Sequence, residues 1–520
     1  MDVRTCSHSS RRALAPAIGL ALLMGALPTT QAKTQITATA APTVQLPQGV
    51  LTGTNSADGI QRFLGIPYAA QPVGHLRWRA PQPVTAWKEP RDATAFAAAC
   101  PQPDDKFSGL TPKVQDEACL YLNVWAPKKA DAPLPVMVWL HGGAHRFGAG
   151  SVPFYDGKNL AQRGVVVVTL NYRLGYLGYF SHPALDAENE GGNFGLMDQK
   201  AALEWVRDNI AAFGGDPKQV TLFGESAGGA DTLYLMADAK SQGLFQRAIV
   251  QSGGGWNRPL PKPKMQTNVL EALEKAGVAA TASAADLRKL DAKMLVQAHG
   301  GGIGFGAFLD EKVTFEAPSK AFDEGRAAKI PLIIGSNDWE SNLMLGRPSK
   351  GFIAKTLPYL PQVYGWYGDR TNSADERNSL LFRDIVFAAP ARWLAQRQTK
   401  QAPTWLYSFT YVTSGSRGKV PGAGHAAEIA YVFDTLGATE KSAANAADED
   451  RQMAHKLADC WASFAKTGAP NCALATWQPY DANADNVLLI DRNPRQIKLP
   501  DRKTLDGVVD LFGPGTLLGG

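Results

Sequence analysis

The chain has 520 residues, 45% of them hydrophobic, with a formal net charge of +5. That composition excludes a largely disordered protein and supplies enough apolar side chains for a sizeable buried core. The charge is too small to imply a nucleic-acid or strongly anionic membrane partner, and no basic stripe, phosphate-binding loop or internal repeat appears.

In chain order, Arg4, Arg11 and Arg12 precede the apolar segment Ala13 to Leu27, which is followed by Thr30-Gln31-Ala32. This is the pattern of a secretory signal over residues 1–32, with cleavage expected after Ala32. The apolar stretch is too short and Pro-interrupted for a membrane helix. Cys6 lies upstream of it, so no lipoprotein anchor is offered. Arg11-Arg12 admits a twin-arginine route, but with no cofactor implied ordinary secretion is favoured. A Thr/Ala-rich mobile leader is expected over 33–43. Length alone would suggest about three domains, yet no charge block or long Pro/Ser linker interrupts 44–520, and one α/β domain with large insertions is the better reading.

The apolar runs Leu134 to Leu140, Gly164 to Leu170, Val220 to Phe223, Ala248 to Val250, Pro331 to Ile334, Trp405 to Phe409 and Val487 to Ile490 read as strands. Several are continuous and β-branched, as in a parallel sheet covered on both faces. Between two of them Leu203, Val206, Ile210 and Phe213 recur at helical spacing and end at Gly214-Gly215. Gly437 to Asp450 reads as a polar surface excursion. After signal removal four cysteines remain in an oxidising compartment, which fits two disulfides. Pairing Cys100 with Cys119 and Cys460 with Cys472 closes two short local loops. No C-x-x-C or histidine cluster supports a metal site, and no cofactor is implied.

The chemistry concentrates at Gly224-Glu225-Ser226-Ala227-Gly228, directly after the run Val220 to Phe223. A G-x-S-x-G at a strand-to-helix turn holds a serine out at the sheet edge, and small flanking residues are needed where the backbone bends sharply. A serine hydroxyl requires a base oriented by a carboxylate, and in hydrolases with this turn both follow the serine in the chain. The downstream histidines are His299, His425 and His455. His455 sits in an amphipathic helical pattern continuing to Trp461 and Phe464, a structural position. His299 precedes the glycine-rich run 300–306, which lacks the flanking strand and helix of a nucleotide-binding loop. His425 follows the flexible Pro421-Gly422-Ala423-Gly424, a loop position suited to a base. Past the strand Pro331 to Ile334, Asp338 and Glu340 are both placed to orient it, and the residues alone do not choose between them.

Phe213-Gly214-Gly215-Asp216-Pro217 leading to Gly224-Glu225-Ser226-Ala227-Gly228 resembles the serine signature of the type-B carboxylesterases, α/β-hydrolases that include the cholinesterases and bacterial para-nitrobenzyl esterases. Glu117-Ala118-Cys119-Leu120-Tyr121-Leu122-Asn123-Val124 is similar to that family's second signature, with Ala118 where Asp or Gly is usual. The resemblance implies an α/β-hydrolase fold and a triad of Ser226, Glu340 and His425, with Asp338 two positions too early. It implies Ser252 as a support that hydrogen-bonds the acid, and a Cys100–Cys119 bridge like one in the family. His141-Gly142-Gly143-Ala144 resembles the oxyanion loop, implying Gly143, Ala144 and Ala227 as backbone donors. His145-Arg146 departs from the aromatic residue that usually follows, which alters the acyl site. From the residues alone, His141 and His145 read as loop-packing histidines. Arg77 with Glu117, and Arg173 with Asp198, match two buried ion pairs.

The function implied is a secreted or periplasmic serine carboxylesterase acting on a small-molecule ester through an acyl-enzyme on Ser226. Activity is expected to rise with pH as His425 loses its proton, with a midpoint within about one unit of 6.5. An adhesion domain of the same family is disfavoured because all three triad positions are filled; amide or long-chain lipid substrates would use the same machinery. The loop Pro101 to Ala118 holds no tryptophan and only Phe107 as an aromatic, so it lacks the ring that holds a quaternary ammonium in cholinesterases. Trp256 and Trp339 are candidates for pocket lining or core packing.

Overall fold

A computed structural model describes residues 40–104, 111–128, 130–256, 258–298, 306–344 and 360–516. The expected signal segment, most of the leader, His299 and Phe107 lie outside the described residues. From Ala41 onward the chain forms one unit.

Its centre is an eleven-stranded sheet. Across it run Arg495–Lys498, Asn486–Ile490, Thr404–Phe409, Leu332–Asn337, Arg247–Gln251, Gly215–Glu225, Leu134–Leu140, Val166–Leu170, Tyr121–Pro127, Ile60–Pro67 and Thr54–Asn55. From Asn486–Ile490 to Val166–Leu170 the neighbours are parallel; antiparallel strands close both edges.

The β-branched runs are buried on both faces because alternate residues enter different cores. Val136, Val138 and Leu140 join one cluster with Val166, Val168 and Leu222, whereas Met137, Trp139, Val167 and Phe223 join the other. The period-two geometry of a strand makes this division. The expected strand-helix-strand unit is present: helix Phe194–Asn209 continues as a 3-10 turn to Phe213 and stops at Gly214, whose φ of 81° needs a glycine. The two disulfides pair as read from the sequence, Cys100 with Cys119 and Cys460 with Cys472, each with Cα atoms 5.0 Å apart.

Two expectations are corrected. The leader does not extend to Thr43, which opens strand Thr43–Leu46 and pairs with Thr52; Val44 and Leu46 alternate inward and bury there, an apolar gain that orders the segment. Gly437 to Asp450 is not a plain polar excursion. Thr439 and Ser442 cap helix Glu440–Asn445 reciprocally, and Asp450 is buried in the first turn of helix Asp448–Thr467, accepting from Tyr411 Oη at 2.8 Å and Ala447 N at 2.7 Å.

Both expected ion pairs are present. Arg77 donates through Nε to Glu117 at 2.7 Å, and Arg173 grips Asp198 with Nε at 2.8 Å and Nη2 at 2.7 Å. Side-chain exposures of 4% and 0% for the second pair leave neither charge an alternative in water. Asp198→Ala is therefore expected to destabilise the protein by about 3–5 kcal/mol, because it strands a buried guanidinium; urea unfolding of wild type and variant measures this.

Candidate active site

Ligand sites in open α/β sheets gather at the carboxyl ends of the strands, and the residues singled out in the sequence sit there. Strand Gly215–Glu225 ends one residue before Ser226, which has φ 55° and ψ −121° and precedes helix Ala227–Ala237. Sterics explain the glycines. A Cβ at Gly224 would lie 2.5 Å from the Gly228 carbonyl group, and one at Gly228 would run into the Leu140 carbonyl oxygen. Only glycine lets the helix start this close to the neighbouring strand. Ser226 N donates to Gln251 O at 2.9 Å, which ties the turn to the next strand and leaves Ser226 half-buried among buried neighbours.

Strand Leu332–Asn337 delivers Glu340 at the start of a 3-10 turn, Glu340–Met344. Glu340 is fully buried. Its Oε2 lies 2.6 Å from His425 Nδ1, and its Oε1 accepts from Ser252 Oγ at 2.6 Å and Asn337 N at 2.7 Å. Asp338 points elsewhere: it accepts the Ala423 amide at 2.7 Å and so braces the loop that carries His425. Burial pushes its carboxyl up to about 6. Asn342, from the same 3-10 turn as Glu340, accepts the His425 amide at 2.6 Å. His425 is held at both backbone and ring by one turn.

The other ring nitrogen, Nε2, faces the serine turn, with Glu225 Oε1 at 3.1 Å. Glu225 immediately precedes Ser226 and is 2% exposed. Burial raises the pKa of Glu225, and the nearby His425 opposes that rise. Burial of the His425 ring disfavours its cation, but the Glu225 and Glu340 carboxylates outweigh it and raise its pKa above the ordinary imidazole value. A third buried glutamate, Glu428, accepts from Asn337 Nδ2 at 2.7 Å and Gln251 Nε2 at 3.0 Å. Gln251 in turn accepts from Trp461 Nε1 at 3.0 Å.

Beyond Leu140 the chain turns through Gly143, Ala144 and His145, whose φ values are 112°, 52° and 56°. This loop closes against the serine turn: a Cβ on Gly142 would lie 2.6 Å from Glu225 Oε2 and 3.0 Å from Ser226 Cβ. Among the described residues no acceptor takes the amides of Gly143, Ala144 or Ala227. His141 stacks on Tyr172 with ring centroids 4.3 Å apart and bonds through Nδ1 to the Gly142 carbonyl at 2.8 Å; burial pushes its pKa down to about 4. His145 is buried against Asp231, 2.8 Å away. Both are packed in the loop.

The remaining residues fall outside this cluster. His455 is two-thirds exposed and meets Asp434 at 3.2 Å on the surface of its helix. Trp256 belongs to the core, its Nε1 donating to Ile385 O at 3.0 Å. Trp339 is half-buried and bridges to Gly424 in the His425 loop. Sequence reading did not anticipate Asn342, Gln251, Asp231 or the contact of Glu225 with His425. Of these only Glu225 carried a signal, as the acid inside the serine signature.

A profile of the carboxylesterase family matches residues 40–357 and 354–506. The chain is 39% identical over 466 residues to the para-nitrobenzyl esterase of Bacillus subtilis (strain 168), spanning 85% of this chain and 93% of that protein. It is 37% identical over 448 residues to the fumonisin B1 esterase of Sphingopyxis macrogoltabida, spanning 79% of this chain and 80% of that one. A solved PNB esterase superposes with a TM-score of 0.81 at 36% identity, over 90% of this chain and 99% of that one. With its parallel sheet, its serine turn and these matches, the chain belongs to the carboxylesterase family, has the α/β-hydrolase fold and is a carboxylic ester hydrolase.

Proposed function

We propose that the protein hydrolyses small-molecule esters through an acyl-enzyme on Ser226. Ser226 Oγ bonds to the ester carbonyl carbon as its proton passes to His425 Nε2, leaving a tetrahedral oxyanion. Collapse breaks the carbon–alkoxy bond, and His425 returns the proton to the departing alcohol. A water then repeats the sequence on the acyl-enzyme and frees the acid. Glu340 holds the imidazole in the tautomer with hydrogen on Nδ1 and stabilises its cation. Gly143, Ala144 and Ala227 donate to the oxyanion, each worth roughly 3 kcal/mol by comparison with single-donor removals elsewhere. Ser252 acts through Glu340. No metal or organic cofactor takes part in these steps.

The observation that carries this reading is the buried Glu340–His425 contact, which aims the second ring nitrogen at the turn bearing Ser226. The Gly143 and Ala144 amides, which no acceptor takes among the described residues, support the oxyanion assignment. Export to the periplasm or medium is part of the proposal, supported by the residue pattern of 1–32 and by two disulfides. Among the described residues no helix is long and apolar enough to cross a membrane. Choline esters are disfavoured, since Pro101 to Ala118 contains no tryptophan.

Mature protein mixed with para-nitrophenyl butyrate is expected to release a burst of nitrophenolate equal to the enzyme present. Ser226→Ala is expected to abolish the burst and lower kcat/KM by at least ~10³-fold; a burst surviving in that variant overturns the assignment.

The pH dependence follows from which form of His425 works. Only the neutral ring accepts the serine proton, and the raised pKa keeps the ring cationic to higher pH. The kcat/KM profile should rise with pH through a midpoint above the ordinary imidazole value of about 6.5. Glu225→Gln removes one facing negative charge and is expected to lower that midpoint; pH–rate profiles of the two proteins decide it.

A further inference from the structure

The loop that follows strand Leu134–Leu140 has an attachment that the proposed reaction does not use. His145 Nε2 donates to Asp231 Oδ1 at 2.8 Å, and both side chains are buried, with exposures of 7% and 0%. Asp231 lies five residues beyond Ser226, on the helix Ala227–Ala237 that presents the Ala227 amide. Its second oxygen accepts from Gln199 Nε2 at 2.6 Å, on helix Phe194–Asn209. The His145 ring meets Tyr179 edge-on with centroids 4.9 Å apart, and its backbone carbonyl accepts the Gly175 amide at 2.7 Å.

We propose that His145 is a positioning residue for the oxyanion hole: through Asp231 it ties the loop carrying the Gly143 and Ala144 amides to the helix carrying the Ala227 amide. The three donors then keep their mutual geometry as one body. This rests on the oxyanion reading above.

Two physical arguments carry it. Gly143, Ala144 and His145 have consecutive positive φ values, and two of them are not glycine. Non-glycine residues in that region are strained and persist only where their surroundings over-determine them. A hydrogen bond from the side chain of the last residue to a rigid helix is such a determinant. Second, a buried carboxylate is tolerated only when its oxygens are satisfied, so Asp231 holds His145 in a single orientation. The resemblance implies an aromatic residue at this position; a phenylalanine ring would fill the space but has no donor for Asp231. Here a directional contact replaces packing.

The test compares wild type with His145→Phe, His145→Gln and Asp231→Asn in two readouts. One is kcat and KM on para-nitrophenyl butyrate. The other is inhibition by an aryl trifluoromethyl ketone, which adds to Ser226 and places an oxyanion among the same donors. His145→Phe should lower kcat/KM and weaken the ketone in parallel, by about 10- to 100-fold, with KM within about twofold of wild type. His145→Gln, whose amide can still donate to Asp231, should recover most of both. Asp231→Asn, a neutral acceptor of the same shape, should lose about 3- to 10-fold in both, and it decides the matter if His145→Phe does not fold.

Unchanged ketone affinity in the variants, or His145→Gln no better than His145→Phe, overturns the tether while a wild-type burst leaves the Ser226 reading standing. A wild type that gives no burst and ignores the ketone overturns both.

Discussion

Close approach of backbone to backbone at Gly224 and Gly228 is the constraint on which the rest of the site depends. Gly224 pairs in register with Leu140 across parallel strands, and the first turn of helix Ala227–Ala237 lies so near that strand that a methyl group at Gly228 would meet the Leu140 carbonyl. That contact sets the serine turn and the glycine-rich loop side by side, because the loop begins where the Leu134–Leu140 strand ends. A bulkier residue at either glycine would part them. Ser226 and the proposed oxyanion donors are therefore adjacent for a steric reason before any hydrogen bond is counted.

Charge supplies a second layer. Glu225, Glu340 and Glu428 are all buried near one imidazole, an arrangement that would be prohibitive without compensation. Each has specific partners: His425 for Glu225; Ser252, Asn337 and His425 for Glu340; Asn337 and Gln251 for Glu428. Asn337 serves two of these carboxylates through its amide and its side chain. The network joins the ends of three adjacent strands to the His425 loop, so the same contacts that keep buried charges tolerable also fix the ring. In the proposed reaction the consequence is a base that releases its proton less readily.

Much of the scaffold was legible. Strands with continuous apolar residues read as buried because both of their faces meet a core, and the segment from Leu203 to Phe213 read as helical because its apolar positions recur at helical spacing. The errors came where a short segment borrowed order from another segment it pairs or packs with. Thr43 becomes a strand residue only because Gly49–Thr52 pairs with it, and Asp450 is buried only because Tyr411 and Ser414 meet it.

The sequence by itself determined the elements whose cause is local. The serine turn follows from glycines within five residues of one another, the loop position of His425 from the glycines before it, and the disulfides from short cysteine spacings. Tertiary structure alone decided which groups face which. Asp338 and Glu340 both follow the end of one strand; the residues alone left the choice open and the family resemblance pointed to Glu340, but it is the path of the loop, brought 85 positions along the chain, that gives Asp338 the Ala423 amide and Glu340 the imidazole. The same holds for Glu225 against His425, for Asn342 and for the His145–Asp231 bond. Their partners are set by the register of parallel strands and by where each helix begins, quantities that depend on the packed core and leave no periodic trace along the chain.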